Sequence, residues 1–242
     1  MKDSHIPRIP KPGGRICVSI GARPGTIDPL ADVLVQARQA AAGADVIEIR
    51  LDTLAKPTIK VLARELSNPL LFTNRPVWEG GFFKGDEEER LAPLLQAVSL
   101  SAAYVDIELN AAVPLRARLL KAARKSKTRL IISWHDFAAT PSPDELRQIF
   151  YRQAESGCDI GKIVTMAHEI GDVHRVMELL PLARGFGFPL IAFCMGGPGM
   201  LSRLATVEMG GYMTYAAPDH GEAMAPGQIP VSVMRAKLGA KR

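Results

Sequence analysis

The sequence predicts a (β/α)8 barrel, because apolar strand patterns alternate with amphipathic helix patterns eight times along the chain. Its 242 residues also match the length of such a barrel. A doubly wound sheet would more often carry a nucleotide-binding loop, and neither a GxGxxG nor a P-loop pattern occurs. We therefore expect one barrel domain over residues 1–242, with residues 1–14 as an N-terminal extension.

The first unit shows how each element is recognised. The run RICVSIGA (15–22) is apolar and branched, as expected of a buried strand. In the helix that follows, Asp28 is the expected N-cap, Pro29 lies in the first turn, and Gly43 ends the helix. The run DVIEIRL (45–51) is the second strand.

The same cycle continues to the end of the chain. Each later strand is a short apolar run, and each later helix has apolar residues at helical spacing. The later strands are predicted at 69–73, 103–109, 128–134, 159–165, 188–194 and 210–215, and the later helices at 57–67, 87–100, 114–126, 143–156, 170–185, 200–207 and 228–237.

Charge and composition narrow the class of protein. The net charge is +5, but the densest basic stretch, residues 116–129, contains no aromatic residue and is typical of a solvated helix face. No apolar run is long enough to cross a bilayer, and the N-terminus lacks a signal-peptide pattern. We expect a cytoplasmic protein with no nucleic-acid or membrane partner. Cys17, Cys158 and Cys194 lie apart in apolar runs, which indicates buried thiols rather than disulfides or a zinc site.

Polar residues interrupt the apolar runs at the C-terminal ends of the strands, where such barrels place their active sites. The run LIISWHDFAAT (130–140) ends in His135 and Asp136, and Lys162 lies inside the apolar run CDIGKIVTM. A lysine there is either an ion-paired structural residue or an amine nucleophile, and the pattern favours neither. His135 is the natural proton carrier beside it. Other polar residues at strand ends are Arg23, Glu48, Arg50, Arg75, Glu79, Asp106 and Glu108.

Six motifs, in order, resemble those of the type I 3-dehydroquinate dehydratases over nearly the whole chain. They are EIRLD (48–52), TNRPVWEGG (73–81), SWHDFAATP (133–141), GKIVTMA (161–167), MGGPGMLSR (195–203) and APGQIPV (225–231). The resemblance implies a (β/α)8 barrel that is a homodimer and uses no metal or organic cofactor. It also implies dehydration of 3-dehydroquinate to 3-dehydroshikimate through a Schiff base, in the shikimate pathway of aromatic amino acid biosynthesis.

The resemblance further implies roles for single residues. Lys162 resembles the Schiff-base lysine, His135 the general acid/base, and Glu79 the carboxylate that orients the histidine. Met224 is a departure, because the family commonly has a serine at this position of the closing loop, and this puts one substrate contact in doubt. The substrate-binding residues that the resemblance implies are Glu48, Arg50, Arg75, Arg203, Gln228 and, at the departing position, Met224.

Two other interpretations remain open. A class I aldolase also uses a barrel lysine, and the GGPG run at 196–199 could hold the phosphate of a sugar phosphate. A barrel that only binds a metabolite would show binding without turnover. We also expect Asp136 to cap its strand, and residues 217–230 to form a mobile lid. His168, His174 and His220 are expected at the surface.

Overall fold

Eight parallel strands form a barrel in the computed structural model, which describes residues 14–220 and 223–239. Neighbours along the chain pair in parallel, and β1 also pairs with β8. The Tyr212 amide, just before β8, donates to the Leu190 carbonyl of β7 at 2.8 Å, which brings the two remaining edges together. The strands are Arg15–Ile20 (β1), Val46–Arg50 (β2), Leu70–Thr73 (β3), Tyr104–Glu108 (β4), Arg129–Asp136 (β5), Ile160–Met166 (β6), Leu190–Met195 (β7) and Met213–Ala216 (β8). The predicted barrel is confirmed.

Helices follow the strands and cover the outside of the barrel. Asp28 caps the first helix, since its carboxylate accepts from the Ala31 amide at 3.1 Å, as predicted. The helices are Pro29–Ala40 (α1), Ile59–Glu65 (α2), Glu87–Ser99 (α3), Val113–Ala123 (α4), Pro143–Glu155 (α5), Ile170–Met177 (α6), Leu179–Phe186 (α7), Gly196–Gly199 (α8), Ser202–Glu208 (α9) and Val231–Leu238 (α10). Two short 3-10 helices, Leu51–Thr53 and Val77–Glu79, follow β2 and β3.

Several boundaries differ from the sequence prediction. The single helix predicted at 170–185 is two helices that meet at Glu178. Pro181 explains the break, because it has no amide proton to donate to the Met177 carbonyl and its ring crowds that carbonyl. The predicted strand 128–134 continues to Asp136, whose carboxylate accepts from the Ala138 and Ala139 amides and so caps the strand as predicted.

The other structural predictions can be placed on this frame. Cys17 and Cys194 are buried, Cys158 is half-buried, and all three are free thiols. The three surface histidines, His168, His174 and His220, are exposed as predicted. The extension predicted at 1–14 lies, apart from Gly14, outside the described residues. No helix among the described residues is long and apolar enough to span a membrane.

Candidate active site

A cavity of about 480 Å³ opens at the C-terminal ends of the strands. This is the end of the barrel where the sequence placed the polar residues. All the residues to which the resemblance gave a role line it: Glu48, Arg50, Arg75, Glu79, His135, Lys162, Arg203, Met224 and Gln228. The other polar strand-end residues, Arg23, Asp106 and Glu108, are not among the lining residues, and the Arg23 guanidinium pairs with Asp32.

Lys162 projects from β6 into the cavity and is 4% exposed. Its backbone is held from outside, where the Gln153 side chain of α5 donates to the Lys162 carbonyl at 2.8 Å. The amine nitrogen Nζ lies 3.7 Å from Oδ2 of Asp106 and 3.9 Å from Oε1 of Glu48. It also lies 4.2 Å from the centre of the Tyr215 ring. The amine therefore sits between two carboxylates and an aromatic face, with its tip towards the cavity.

Glu48 is fixed by hydroxyl groups from the strands on either side. The Ser19 hydroxyl of β1 donates to Oε2, and the Thr73 hydroxyl of β3 donates to Oε1 at 2.8 Å. These three side chains are buried and meet at the Glu48 carboxylate. The carboxylate of Glu48 is therefore held rigidly near Lys162.

Arg75 lies at the centre of a buried charge network. Its guanidinium donates to Glu108 at 2.6 Å, to Asp106 at 2.8 Å and to the Ser133 hydroxyl at 2.7 Å, and Glu79 lies 3.4 Å away. Burial opposes the charge on Arg75, but the surrounding carboxylates outweigh burial and raise its pKa. Arg75 lines the cavity as predicted, and its visible contacts hold the carboxylates in place.

His135, at the end of β5, forms a hydrogen-bonded pair with Glu79. Nδ1 of the imidazole lies 2.9 Å from Oε2 of the carboxyl group. Burial raises the pKa of Glu79 to about 9, with Arg75 opposing this shift and Glu108 adding to it. Burial also lowers the pKa of His135 well below 6.5. Both shifts disfavour an ion pair of imidazolium and carboxylate, so the imidazole of His135 is uncharged at neutral pH.

The backbone after β3 explains how Glu79 reaches the histidine. Glu79 ends the 3-10 helix Val77–Glu79, and Gly80 follows in the left-handed region with φ of 74°. A side chain at Gly80 would overlap the ring of Phe137, which lies face-on to His135 with ring centres 6.1 Å apart. The glycine thus lets Phe137 cover the histidine pair closely.

Arg50 and Asp52 form a second ion pair at the cavity wall. Nε and Nη2 of Arg50 donate to the two oxygens of Asp52, at 2.9 and 2.6 Å. Asp52 also accepts from the Arg75 and Phe82 amides, at 3.2 and 3.1 Å. Asp52 was not among the site residues predicted from the sequence, although it follows a strand end. It joins the end of β2 to the segment that carries Glu79.

Arg203, on α9, is buried at 0% exposure and is not in a salt bridge within the described residues. Nη2 donates to the Pro226 carbonyl at 3.0 Å, whereas Nε and Nη1 have no hydrogen-bond partner in residues 14–220 and 223–239. The Phe193 ring lies 4.6 Å from the guanidinium carbon. Burial lowers the pKa of Arg203 to about 10. A buried guanidinium with free donors is suited to bind an anion, above all a carboxylate.

The loop after β8 covers the side of the cavity on which Arg203 lies. Oε1 of Gln228 accepts from the Met224 amide at 2.9 Å, so the two residues that the sequence singled out are bonded to each other. The Met224 thioether packs close to Gly21 at the end of β1. Residues 221 and 222 of the predicted lid lie outside the described part of the chain.

The chain is similar in sequence to proteins of known function. Residues 16–241 match the family profile described as type I 3-dehydroquinase. A 3-dehydroquinate dehydratase of Desulfotalea psychrophila is 44% identical over 91% of this chain and 95% of its own length.

The fold of the chain is also similar to solved structures. A 3-dehydroquinate dehydratase from Geobacillus kaustophilus superposes with a TM-score of 0.83 at 28% identity, over 93% of this chain and 90% of that one. A type I enzyme from Clostridium difficile, solved with covalently modified comenic acid, superposes with a TM-score of 0.82 at 28% identity, over 95% and 92% of the two chains. The chain therefore belongs to the type I 3-dehydroquinase family.

Proposed function

We propose that this barrel dehydrates 3-dehydroquinate to 3-dehydroshikimate, a step of the shikimate pathway, through an iminium on Lys162. The observation that carries the proposal is the meeting of three groups in one cavity. These are the enclosed amine of Lys162, the paired imidazole of His135 and the guanidinium of Arg203, two of whose nitrogens have no hydrogen-bond partner among the described residues. Membership of the family supports the choice of substrate.

The residues suit each step of the reaction. The Lys162 amine attacks the C3 ketone, and with uptake of one proton one water leaves to form the iminium. His135 takes the C2 proton, and the electrons of that bond move towards the iminium nitrogen to form an enamine. The enamine then expels the C1 hydroxyl, which His135 protonates so that it leaves as water. Hydrolysis of the product imine releases 3-dehydroshikimate and frees the amine.

The remaining side chains bind and orient the substrate. Arg203 lines the cavity, and its guanidinium would donate charge-assisted hydrogen bonds to the substrate carboxylate. Gln228 would bond to a ring hydroxyl, and Glu48, whose two oxygens already accept from Ser19 and Thr73, would line the substrate cavity. Arg50 and Arg75 already have carboxylate partners. We therefore assign them two roles, which are to position those carboxylates and to line the substrate cavity.

Ultraviolet absorbance of the conjugated enone on addition of 3-dehydroquinate tests the proposal directly. We expect the signal from the wild type and none from Lys162→Ala. Cleavage of a sugar phosphate without any reaction of dehydroquinate would instead support the aldolase interpretation. Binding of dehydroquinate without turnover would support the non-catalytic one.

The proposal includes a homodimer, as the resemblance implies, and a cytoplasmic location, as expected from the sequence pattern. Exposed apolar side chains near α6 and α8 offer a surface for it: Ile170 is 67% and Leu201 65% exposed. Light scattering during size-exclusion chromatography would measure the mass in solution, and a mass of one chain would contradict the dimer.

A further inference from the structure

One oxygen of the Asp106 carboxylate has no hydrogen-bond partner within residues 14–220 and 223–239. Asp106 lies on β4 and is fully buried. Its Oδ1 accepts from Arg75 at 2.8 Å and from the Ser133 hydroxyl at 2.6 Å. Its Oδ2 is buried without a hydrogen bond among the described residues. Buried polar atoms are nearly always bonded, so this free acceptor requires an explanation.

The free oxygen is the one that faces the reactive amine. Oδ2 lies 3.7 Å from Nζ of Lys162, just beyond the length of a hydrogen bond. Burial alone would raise the pKa of Asp106, but Arg75 and Lys162 outweigh burial and lower it, so the group is an anion. The amine therefore has an ionised acceptor within about 1 Å of bonding distance.

Glu48, the other carboxylate near Nζ, differs in this respect. It lies slightly farther away, at 3.9 Å, and both of its oxygens already accept a hydroxyl hydrogen bond. The oxygen that can still accept a hydrogen bond from the amine is therefore on Asp106. Of these two carboxylates, only Asp106 has an oxygen without a hydrogen bond from the described part of the chain.

The proposed reaction creates a group that fits this oxygen. Amine, ketone and one proton combine to an iminium and one water, and the iminium keeps one N–H and a positive charge. The Tyr215 ring, 4.2 Å from Nζ, offers its electron-rich face to the same charge. In an enclosed cavity this cation needs a fixed partner in place of water.

We infer that Asp106 is the counter-ion of the iminium, with Oδ2 accepting the iminium N–H once the nitrogen is bonded to substrate. The inference rests on the proposed function and assigns Asp106 as a further catalytic residue. By holding the proton on the nitrogen, Asp106 keeps the group in the form that withdraws electrons from C2.

The test compares Asp106→Asn with Glu48→Gln, since each removes one buried negative charge near Nζ with little change in volume. Wild type and variants are incubated with 3-dehydroquinate and sodium cyanoborohydride, and the adduct on Lys162 is measured by peptide mass spectrometry across a range of pH. Trapping should be lost above a certain pH. We expect this pH to be about 1 to 3 units lower in Asp106→Asn than in the wild type, which is the size expected for loss of an adjacent opposite charge. The shift in Glu48→Gln should be smaller.

The outcomes separate this inference from the proposed function. Absence of an adduct in the wild type would overturn the proposed function. A wild-type adduct together with an unchanged pH dependence in Asp106→Asn, or a larger shift in Glu48→Gln, would overturn only the inference. A crystal structure of the reduced wild-type adduct gives a second test, which does not depend on whether a variant folds. Its lysine nitrogen should lie within about 3 Å of Oδ2 of Asp106, and a bond to Glu48 instead would contradict the assignment.

Discussion

Nδ1 of His135 lies 2.9 Å from Oε2 of Glu79, so Nε2 is the imidazole nitrogen left to act on a substrate. The pair is enclosed by Phe137 and by the network around Arg75. This places the proton carrier and its orienting group at fixed positions before any substrate enters. Their separate contributions can be measured by replacing one at a time.

We expect His135→Ala to lower turnover by about 100-fold to 10,000-fold, as is typical for loss of a general acid/base. The amine is untouched, so cyanoborohydride should still trap an adduct on Lys162. Glu79→Gln should cost about 10-fold to 100-fold, because the imidazole remains and loses only its orienting carboxyl. Steady-state rates of enone formation give both values. A larger loss in Glu79→Gln than in His135→Ala would mean that the two roles are exchanged.

The activity should also persist in mildly acidic solution. Burial lowers the pKa of His135 well below 6.5, and nearby cations lower it further. A lowered pKa means that the imidazole becomes charged only when the pH falls below that of an ordinary histidine. We therefore expect kcat/KM to change little as the pH falls through 6.5 and to decline in more acidic solution. A decline centred at or above pH 6.5 would contradict the neutral imidazole.

Arg203 should reduce the stability of the empty protein. Its guanidinium is buried without an ion-pair partner among the described residues, and burial lowers its pKa to about 10. At neutral pH the cation is therefore less favourable in the fold than in the unfolded chain. Arg203→Met keeps much of the packing against Phe193 and should raise the unfolding free energy by about 1 kcal/mol or more.

The same variant should bind substrate poorly. Losing charge-assisted hydrogen bonds of about 1.5 to 3 kcal/mol each corresponds to a KM at least about 10-fold higher. Thermal unfolding without ligand and steady-state kinetics provide the two readouts. A variant that is less stable and keeps its KM would show that Arg203 is structural.

Gly80 offers a test of the contact that covers the histidine pair. A Cβ there would lie 2.3 Å from the Phe137 ring, and φ is 74°. Gly187 is a matched control, since its φ is 69° and nothing lies within 4 Å of its Cβ position. Gly187→Ala should show only the backbone cost of about 1 to 2 kcal/mol. Gly80→Ala should show that cost and, in addition, a fall in kcat, because Phe137 must move. Equal kcat values in the two variants would show that Phe137 does not position His135.

The barrel could be predicted because buried parallel strands are continuous apolar runs, and each is followed by a helix pattern. Placement of the site residues follows from the same reasoning, because all strands end at one rim. The role of Asp106 could not be predicted in this way. Its free oxygen depends on which neighbours bond to Oδ1, and Ser133 and Arg75 come from other elements. The break at Glu178 was missed although Pro181 is visible in the sequence, because the apolar spacing continues through it.

The loop that carries Met224 and Gln228 gives the last prediction. The Gln228 side chain has two separable functions, since Oε1 accepts from the Met224 amide while Nε2 is a donor available to substrate. Gln228→Glu keeps the acceptor and loses the donor, whereas Gln228→Ala loses both. We expect KM to rise in both variants by the roughly 5-fold to 150-fold that corresponds to one polar contact of about 1 to 3 kcal/mol.

Limited proteolysis within residues 218–228 distinguishes the two variants, because the loop is held by the bond to Met224 only where an acceptor remains. Without substrate, Gln228→Ala should be cut faster than the wild type, and Gln228→Glu at the wild-type rate. Saturating substrate should slow cleavage of the wild type, since a loop bonded to substrate opens less often. If substrate leaves the wild-type rate unchanged, the loop is not a lid, and the effect of Gln228 on KM must come from the cavity wall alone.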